Sequence, residues 1–324
     1  MIPRLIIVLL GVVASFAAQG AGAQAPVVLD PAKLRLASLN AVVIDASANR
    51  QVFAKGADDV TPIASLTKLM TAIVTLDSGL PLDESIAIDT DDFDYLKGTR
   101  SRLRMGALLS RQEMLRLALM SSENRAASSL ARNHPGGTTA FVAAMNEKAH
   151  ALGMTRTSFA DPTGLSAHNV STANDLATLV ATAAQYPEIR DFSTTPSHYV
   201  EVQPMGQLLG FNNTNGLVKN SGWNIQLSKT GYIREAGKCL VMLATIASKP
   251  FVIVLLDSAG KYTRLGDAQR VRQWLETGQS VAPTGRAKAA PKSAKAKTVA
   301  YNAPARAKGT ARVKGVLHAR VAGV

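Results

Sequence analysis

The sequence predicts an α+β protein, with an antiparallel sheet assembled from N- and C-terminal strands and a helical region inserted between them. Three observations predict it. Short β-branched and apolar runs occur near Ala41 and again beyond Gln226. Between them lie stretches whose apolar residues recur every three to four positions, the period of a helix. Apolar residues make up 47% of the 324 positions and charged residues 18%, enough for one large buried core. No internal repeat and no second periodic block is visible, so the body, 24–280, reads as one domain.

The elements follow in chain order. Residues 1–23 read as a secretory signal: Arg4 supplies the positive end, Leu5 to Ala17 the apolar stretch, and Ala21-Gly22-Ala23 a small-x-small cleavage site. That apolar stretch is short for a membrane span. Cleavage after Ala23 is expected, with an uncleaved anchor as the other reading. Export to the periplasm, secreted or wall-associated, is the implied location either way.

Ala41 to Asp45 and Gln51 to Ala54 read as strands, with the link Ala46 to Arg50 making a hairpin. Ser65 to Leu76 has apolar residues at 66, 69, 70, 73 and 76, a helical stripe. Gln112 to Leu130 is a second helical stretch, interrupted at Ser121-Ser122, and Thr138 to Leu152 is a third, bounded by Gly136-Gly137 and Gly153. Thr172 to Ala184 is a fourth, with Thr172 and Asp175 spaced as a capping box. Gln226 to Tyr232, Cys239 to Ala247 and Phe251 to Asp257 are strands separated by turn-forming residues, and Arg264 to Glu276 closes the body as a helix.

Charge is unevenly distributed. The formal net charge is +13, yet residues 281–324 hold ten Lys/Arg and no acid, while 24–280 holds 25 basic against 23 acidic residues. The body is nearly neutral and the basicity sits in an Ala-, Lys- and Pro-rich tail that cannot bury enough apolar surface to fold alone. Two readings of the tail stand: an arm attracted to anionic wall polymer or lipid headgroups, or an extension with no partner. Aromatics at 5% disfavour a base-stacking platform, and no specific nucleic-acid role is expected.

Cys239 is the single cysteine, which excludes an internal disulfide and a multi-cysteine zinc site. It reads as a buried small hydrophobe. The five histidines form no zinc-peptidase run, and no dinucleotide or P-loop signature occurs, so no metal and no cofactor is expected. Asp89 to Asp94 faintly matches a calcium loop but lacks its central Gly and terminal Glu, so it reads as a solvated acidic turn, neutralised by the following Arg100, Arg102 and Arg104.

Ser65-Leu66-Thr67-Lys68 at a helix start is a chemical signal. Residues three apart share a helical face, so the Lys68 amine can reach the Ser65 hydroxyl, and a desolvated lysine can serve as its base. One such match means little: Ser258 to Lys261 has the same spacing and carries no role, and Ser38-Leu39-Asn40 and Ser47-Ala48-Asn49 match S-x-N as well as Ser122-Glu123-Asn124 does. The ordered set carries more weight. Ser65/Lys68 is followed 57 residues later by Ser122/Asn124 and a further 107 later by Lys229-Thr230-Gly231, on a helix start, a helix interruption and a strand. That set belongs to penicillin-binding proteins and β-lactamases.

Longer runs extend the match: Ala64 to Ala72, Met120 to Ala127, Pro162 to Ser166, Asn169 to Thr172 and Lys229 to Gly231. On these the chain resembles the low-molecular-mass penicillin-binding proteins of the D-alanyl-D-alanine carboxypeptidase/endopeptidase type, over roughly residues 35–277. The resemblance implies a β-lactamase/DD-peptidase-like fold and a serine acyl-enzyme on D-alanyl bonds of peptidoglycan stem peptides, with β-lactams as inhibitors. It implies Ser65 as nucleophile, Lys68 as general base and Ser122 as relay between Lys68 and the leaving amine. It implies Asn124 as a hydrogen-bond partner of the substrate peptide, and Lys229 and Thr230 as carboxylate binders. The oxyanion would sit between the N–H groups of Ser65 and Tyr232. Gly231 is expected to let the strand approach substrate closely.

Two departures bear on the activity. The middle motif is Ser-Glu-Asn, and no Glu-x-x-x-Asn run of the kind that orients a deacylating water in class A β-lactamases is found; Glu147 and Glu188 lack its context. Both favour a peptidoglycan enzyme over a fast β-lactamase. The chain also lacks room for the second β-rich domain of many carboxypeptidases of the family, and its tail does not look like their amphipathic anchor, which favours the endopeptidase type. A D-Ala-D-Ala carboxypeptidase, a β-lactamase and a non-catalytic wall-binding protein are the alternatives. Oligomeric state has no sequence signal.

Overall fold

The computed structural model describes residues 27–283; the expected signal segment and all but the first three residues of the expected tail lie outside them. Strands β1 (Asn40–Asp45) and β2 (Arg50–Lys55) form the expected hairpin. The short β3 (Thr61–Pro62) leads into a 3₁₀ turn, Ala64–Thr67, and α1 (Lys68–Asp77). Then come β4 (Ser85–Ala87), β5 (Leu108–Ser110), α2 (Arg111–Met120), α3 (Asn124–Arg132) and α4 (Gly137–Ala151). Next are β6 (Val170–Ser171), α5 (Ala173–Ala183), α6 (Pro187–Thr194) and the hairpin β7 (Ser197–Val202) with β8 (Gln207–Asn212). The body ends with β9 (Asn224–Ile233), β10 (Gly237–Ile246), β11 (Lys249–Ser258) and α7 (Thr263–Thr277).

The main sheet has the order β2-β1-β11-β10-β9, antiparallel throughout, so the first strands of the body pair with the last, as the sequence predicts. The register sets Val43 opposite Ile253 and Val241 opposite both Val254 and Lys229. Both faces of the sheet are covered, which explains why its central strands read as nearly unbroken apolar runs. Side chains alternate between two cores: Leu240, Met242, Ile253 and Leu255 pack with Val271 and Trp274 of α7, whereas Val241, Val252 and Val254 pack with the helical region. Asp267 of α7, fully buried, accepts from the N–H groups of Ala37 and Ser38 and from the Ser38 hydroxyl, at 2.6 to 3.0 Å, and ties the N-terminal segment to that layer.

Some elements differ from expectation. The pairs β3–β6 and β4–β5 are only two and three residues long, too short for a periodic signal. The β7–β8 hairpin buries little beyond Val200, Val202 and Phe211, so its pattern is diluted by Tyr199 and Glu201, and α6 is a short helix opened by Pro187. At α5 the expected capping box is half formed. Thr172 Oγ1 accepts from the Asp175 N–H at 3.0 Å, but the Asp175 carboxylate is taken by the Arg156 N–H and the Thr157 hydroxyl.

Candidate active site

The nucleophile turn is fixed by three hydrogen bonds. Ile63 N–H bonds to the carbonyl of Asn169 at 3.0 Å, and Thr67 Oγ1 both donates to the Ala64 carbonyl and accepts from Asn169 Nδ2. Ala64 is held at φ +49, a left-handed conformation that costs a non-glycine residue about 1 kcal/mol or more. Ser65 lies in the 3₁₀ turn just before α1 rather than within the α-helix. At three residues per turn, positions i and i+3 eclipse, so Lys68 sits directly beneath Ser65. Lys68 Nζ is 3.0 Å from Ser65 Oγ.

Lys68 is fully buried, and its other partners are Asn124 Oδ1 at 2.7 Å and the carbonyl of Thr163 at 2.6 Å. Burial pushes its pKa down to about 7, against the opposing pull of the Asp161, Glu123 and Asp94 carboxylates. An amine poised there can accept a proton near neutral pH. Ser65 itself is only half-buried, so a substrate can reach it.

Ser122 and Asn124 flank the start of α3, where the break between α2 and α3 expected at Ser121-Ser122 is observed. Ser122 is left-handed at φ +60. Its hydroxyl accepts from Lys229 Nζ at 3.0 Å, whereas the three partners of Lys68 are Ser65, Asn124 and Thr163. Of the middle motif, Asn124 is thus the residue that meets Lys68, and Ser122 the one that meets Lys229. Asn124 in turn orients the lysine as well as lining the cleft.

Lys229, Thr230, Gly231 and Tyr232 lie on β9, the edge strand of the sheet. Lys229 is buried and also bonds to the Thr230 carbonyl; burial, then the charges of Lys68 and Arg264, hold its pKa well below the usual lysine range. Thr230 Oγ1 bonds to Thr214 Oγ1 at 2.7 Å. A Cβ on Gly231 would lie 2.9 Å from the Ile63 carbonyl oxygen and 3.2 Å from the Ser65 nitrogen. The close approach of β9 to the nucleophile turn thus leaves little room for a side chain at this position. Tyr232 is exposed, with Lys238 Nζ 3.9 Å from its ring centroid.

Several residues near the site had no assigned role in the sequence. Thr163 acts through its backbone carbonyl, which no residue type signals. Asp161 accepts from the N–H groups of Thr163, Gly164 and Ser166 and fixes that turn. Gly164, at φ +81, packs where a Cβ would overlap the Ala64 carbonyl. Arg264, read only as a helix start, donates to the carbonyls of Gly231 and Cys239. The run Pro162 to Ser166 was the available signal for Thr163 and Gly164; Asp161, just before it, had none.

The acidic segment also differs from expectation. Asp92 pairs with Arg132 at 2.9 Å, while Arg102 donates to the Gly210 carbonyl and stacks on Phe211. Neutralisation thus comes from α3 and not from the following arginines. Among the described residues no group of three or more His, Cys, Asp or Glu is placed to hold a metal. A cavity of about 320 Å³ opens beside Asn124, lined by Tyr95, Leu96, Thr163 and Leu165 among others.

Known proteins resemble this chain in sequence and in fold. The chain is 54% identical over 259 residues to a D-alanyl-D-alanine endopeptidase of Pseudomonas aeruginosa, covering 80% of this chain and 84% of that one. It is 50% identical over 244 residues to a D-alanyl-D-alanine endopeptidase of Escherichia coli, covering 75% and 79%. Among solved structures it is similar to the Streptomyces K15 DD-transpeptidase, with TM-score 0.68, 28% identity and coverage of 73% of this chain and 96% of that one. It is also similar to penicillin-binding protein D2 of Listeria monocytogenes in a cefotaxime-bound form, with TM-score 0.62, 27% identity and coverage of 74% and 96%. The profile of the D-alanyl-D-alanine carboxypeptidase family matches residues 27–260, and the chain belongs to that family.

Proposed function

We propose that the protein is a serine DD-peptidase that cleaves D-alanyl peptide bonds of peptidoglycan stem peptides, acting as an endopeptidase on DD-cross-links, and that β-lactams acylate the same serine. The observation that carries this reading is the Ser65–Lys68 pair: a reachable hydroxyl 3.0 Å from a buried amine with a pKa of about 7. The proton of Ser65 passes to Lys68 as Oγ attacks the carbonyl of D-Ala, and the oxyanion is met by the N–H groups of Ser65 and Tyr232. The leaving nitrogen takes its proton from Ser122, which Lys229 replenishes through their 3.0 Å contact. Water then attacks the acyl group, its proton returns through Ser122 to Lys229, and Lys68 gives its proton back to Ser65.

Lys229 and Thr230 bind the substrate carboxylate. Burial disfavours the charged form of Lys229, so an incoming carboxylate restores the counter-charge and favours its protonation on binding. Asn124 hydrogen-bonds the substrate peptide, and Gly231 holds β9 against the nucleophile turn. Endopeptidase rather than carboxypeptidase action is favoured by the two relatives at 54% and 50% identity, both endopeptidases by name. The substrate lies outside the cytoplasmic membrane, which fits export to the periplasm; among the described residues no helix is long and apolar enough to cross a membrane. Digestion of purified cross-linked muropeptides tests the reading. Dimers are expected to become monomers. Release of free D-alanine with dimers left intact would instead make the protein a carboxypeptidase.

A further inference from the structure

We propose that Thr99, held by Asp94, is a positioning residue: it fixes the side-chain amide of Asn124 so that Lys68 turns its lone pair toward Ser65. This rests on the reading of Lys68 as the general base. The argument is one of donors and acceptors. An ionised carboxylate can only accept, and Asp94 Oδ2 lies 2.7 Å from Thr99 Oγ1, so the Thr99 hydroxyl must donate to it. The remaining lone pairs of Thr99 Oγ1 then face Asn124 at 3.0 Å and can only accept, so that end of the amide is Nδ2. The other end, Oδ1, therefore faces Lys68 at 2.7 Å.

For the base form this matters. A neutral amine has two N–H groups and one lone pair. Asn124 Oδ1 and the Thr163 carbonyl are both acceptors, and they take the two N–H groups. The lone pair is left for the third neighbour, the Ser65 hydroxyl at 3.0 Å. A reversed amide would aim Nδ2 at Lys68, and the lone pair would accept from it instead of from Ser65.

The segment carrying Asp94 and Thr99 is secured for such a task. Asp94 also accepts from the N–H groups of Leu96, Lys97 and Thr99. Arg125 of α3 donates to the Leu103 carbonyl at 2.6 Å and lies over the Phe93 ring, and Lys97 pairs with Glu235 at 2.7 Å. The charged groups acting on Lys68 are Asp94, Glu123 and Asp161, with Lys229 coupled to it from β9. Thr99→Val removes none of them and keeps the Thr99 N–H bond to Asp94, so it isolates the hydroxyl.

The test is the rate of acylation by a fluorescent penicillin as a function of pH, for wild type, Thr99→Val and Thr99→Ser, with melting temperatures measured alongside. Thr99→Val is expected to acylate roughly tenfold or more slowly, short of the full ~10²–10⁴-fold that a general base supplies, with little change in the preceding non-covalent affinity. Its acid limb is expected at lower pH than that of wild type, because a donor facing the amine disfavours the ammonium. Thr99→Ser is expected to restore both rate and limb. Should the valine variant not fold, Thr99→Ala removes the same hydroxyl and is read in the same way. A wild-type limb that the variant leaves unmoved, or a serine variant as slow as the valine one, overturns the positioning role. A wild type with no acid limb near neutrality overturns the assignment of Lys68 itself.

Discussion

Lys68 and Ser65 meet because they lie three positions apart in one tight turn, so the pair could be read directly from the sequence. What surrounds the pair could not. The Thr163 carbonyl comes from 95 positions away and has no side-chain signature, and Thr99 reaches the site only through Asn124. Which amine Ser122 and Asn124 each meet was likewise not legible: a spacing pattern does not say which of two neighbouring polar groups bonds a given amine.

The burial of Lys68 gives a pH dependence with a definite sign. Its pKa is lowered to about 7, so the neutral, reactive form prevails above that pH and acylation is expected to rise through it to a plateau. Folding stability changes in the same direction. Between about 7 and the ordinary lysine value of 10.5 the unfolded chain binds the extra proton, so this group's contribution rises with pH across that window. Stopped-flow acylation against pH checks the first point, and acylation independent of pH around neutrality would refute it.

At the scale of elements, the close approach of β9 to the nucleophile turn fixes the cleft. The central strands β1, β10 and β11 were legible because both faces are buried and their centres are almost wholly apolar, while β3, β6 and the half-exposed β7–β8 hairpin lacked that pattern. Gly231 was legible as a glycine position, whereas its close neighbour Ile63, on a distant segment, was not. Gly231→Ala would push its Cβ against the Ile63 carbonyl, and overpacking of this kind costs about 1–3 kcal/mol. Acylation is expected to fall more steeply than stability, because β9 and the nucleophile turn must separate. Paired measurements of melting temperature and acylation rate decide it; a variant acylated at the wild-type rate would remove the packing role.

Over the whole molecule, sequence order and spatial order coincide at one place that matters. The chain leaves the sheet after β2, builds the helical region that carries Ser65 and Ser122, and returns to add Lys229 on the edge strand. The N- and C-terminal pairing was legible; the order that puts β9 at the edge is a finding of the structure. The formal charge separates along the same chain, with 24–280 nearly neutral and ten basic residues beyond. Deleting 281–324 is expected to weaken retention on isolated cell wall at low salt and to matter little at high salt, since such attraction is screened within about 10 Å at 0.1 M. Retention unchanged at low salt would rule out an adhesive tail.

The hydroxyl of Ser65 is the atom on which every other assignment depends. Incubation with a penicillin followed by peptide mapping by mass spectrometry identifies the residue that carries the acyl adduct. A stable adduct on the peptide containing Ser65, absent from Ser65→Ala although that variant folds, is the expected result. An adduct on another residue, or labelling that survives the substitution, would contradict it.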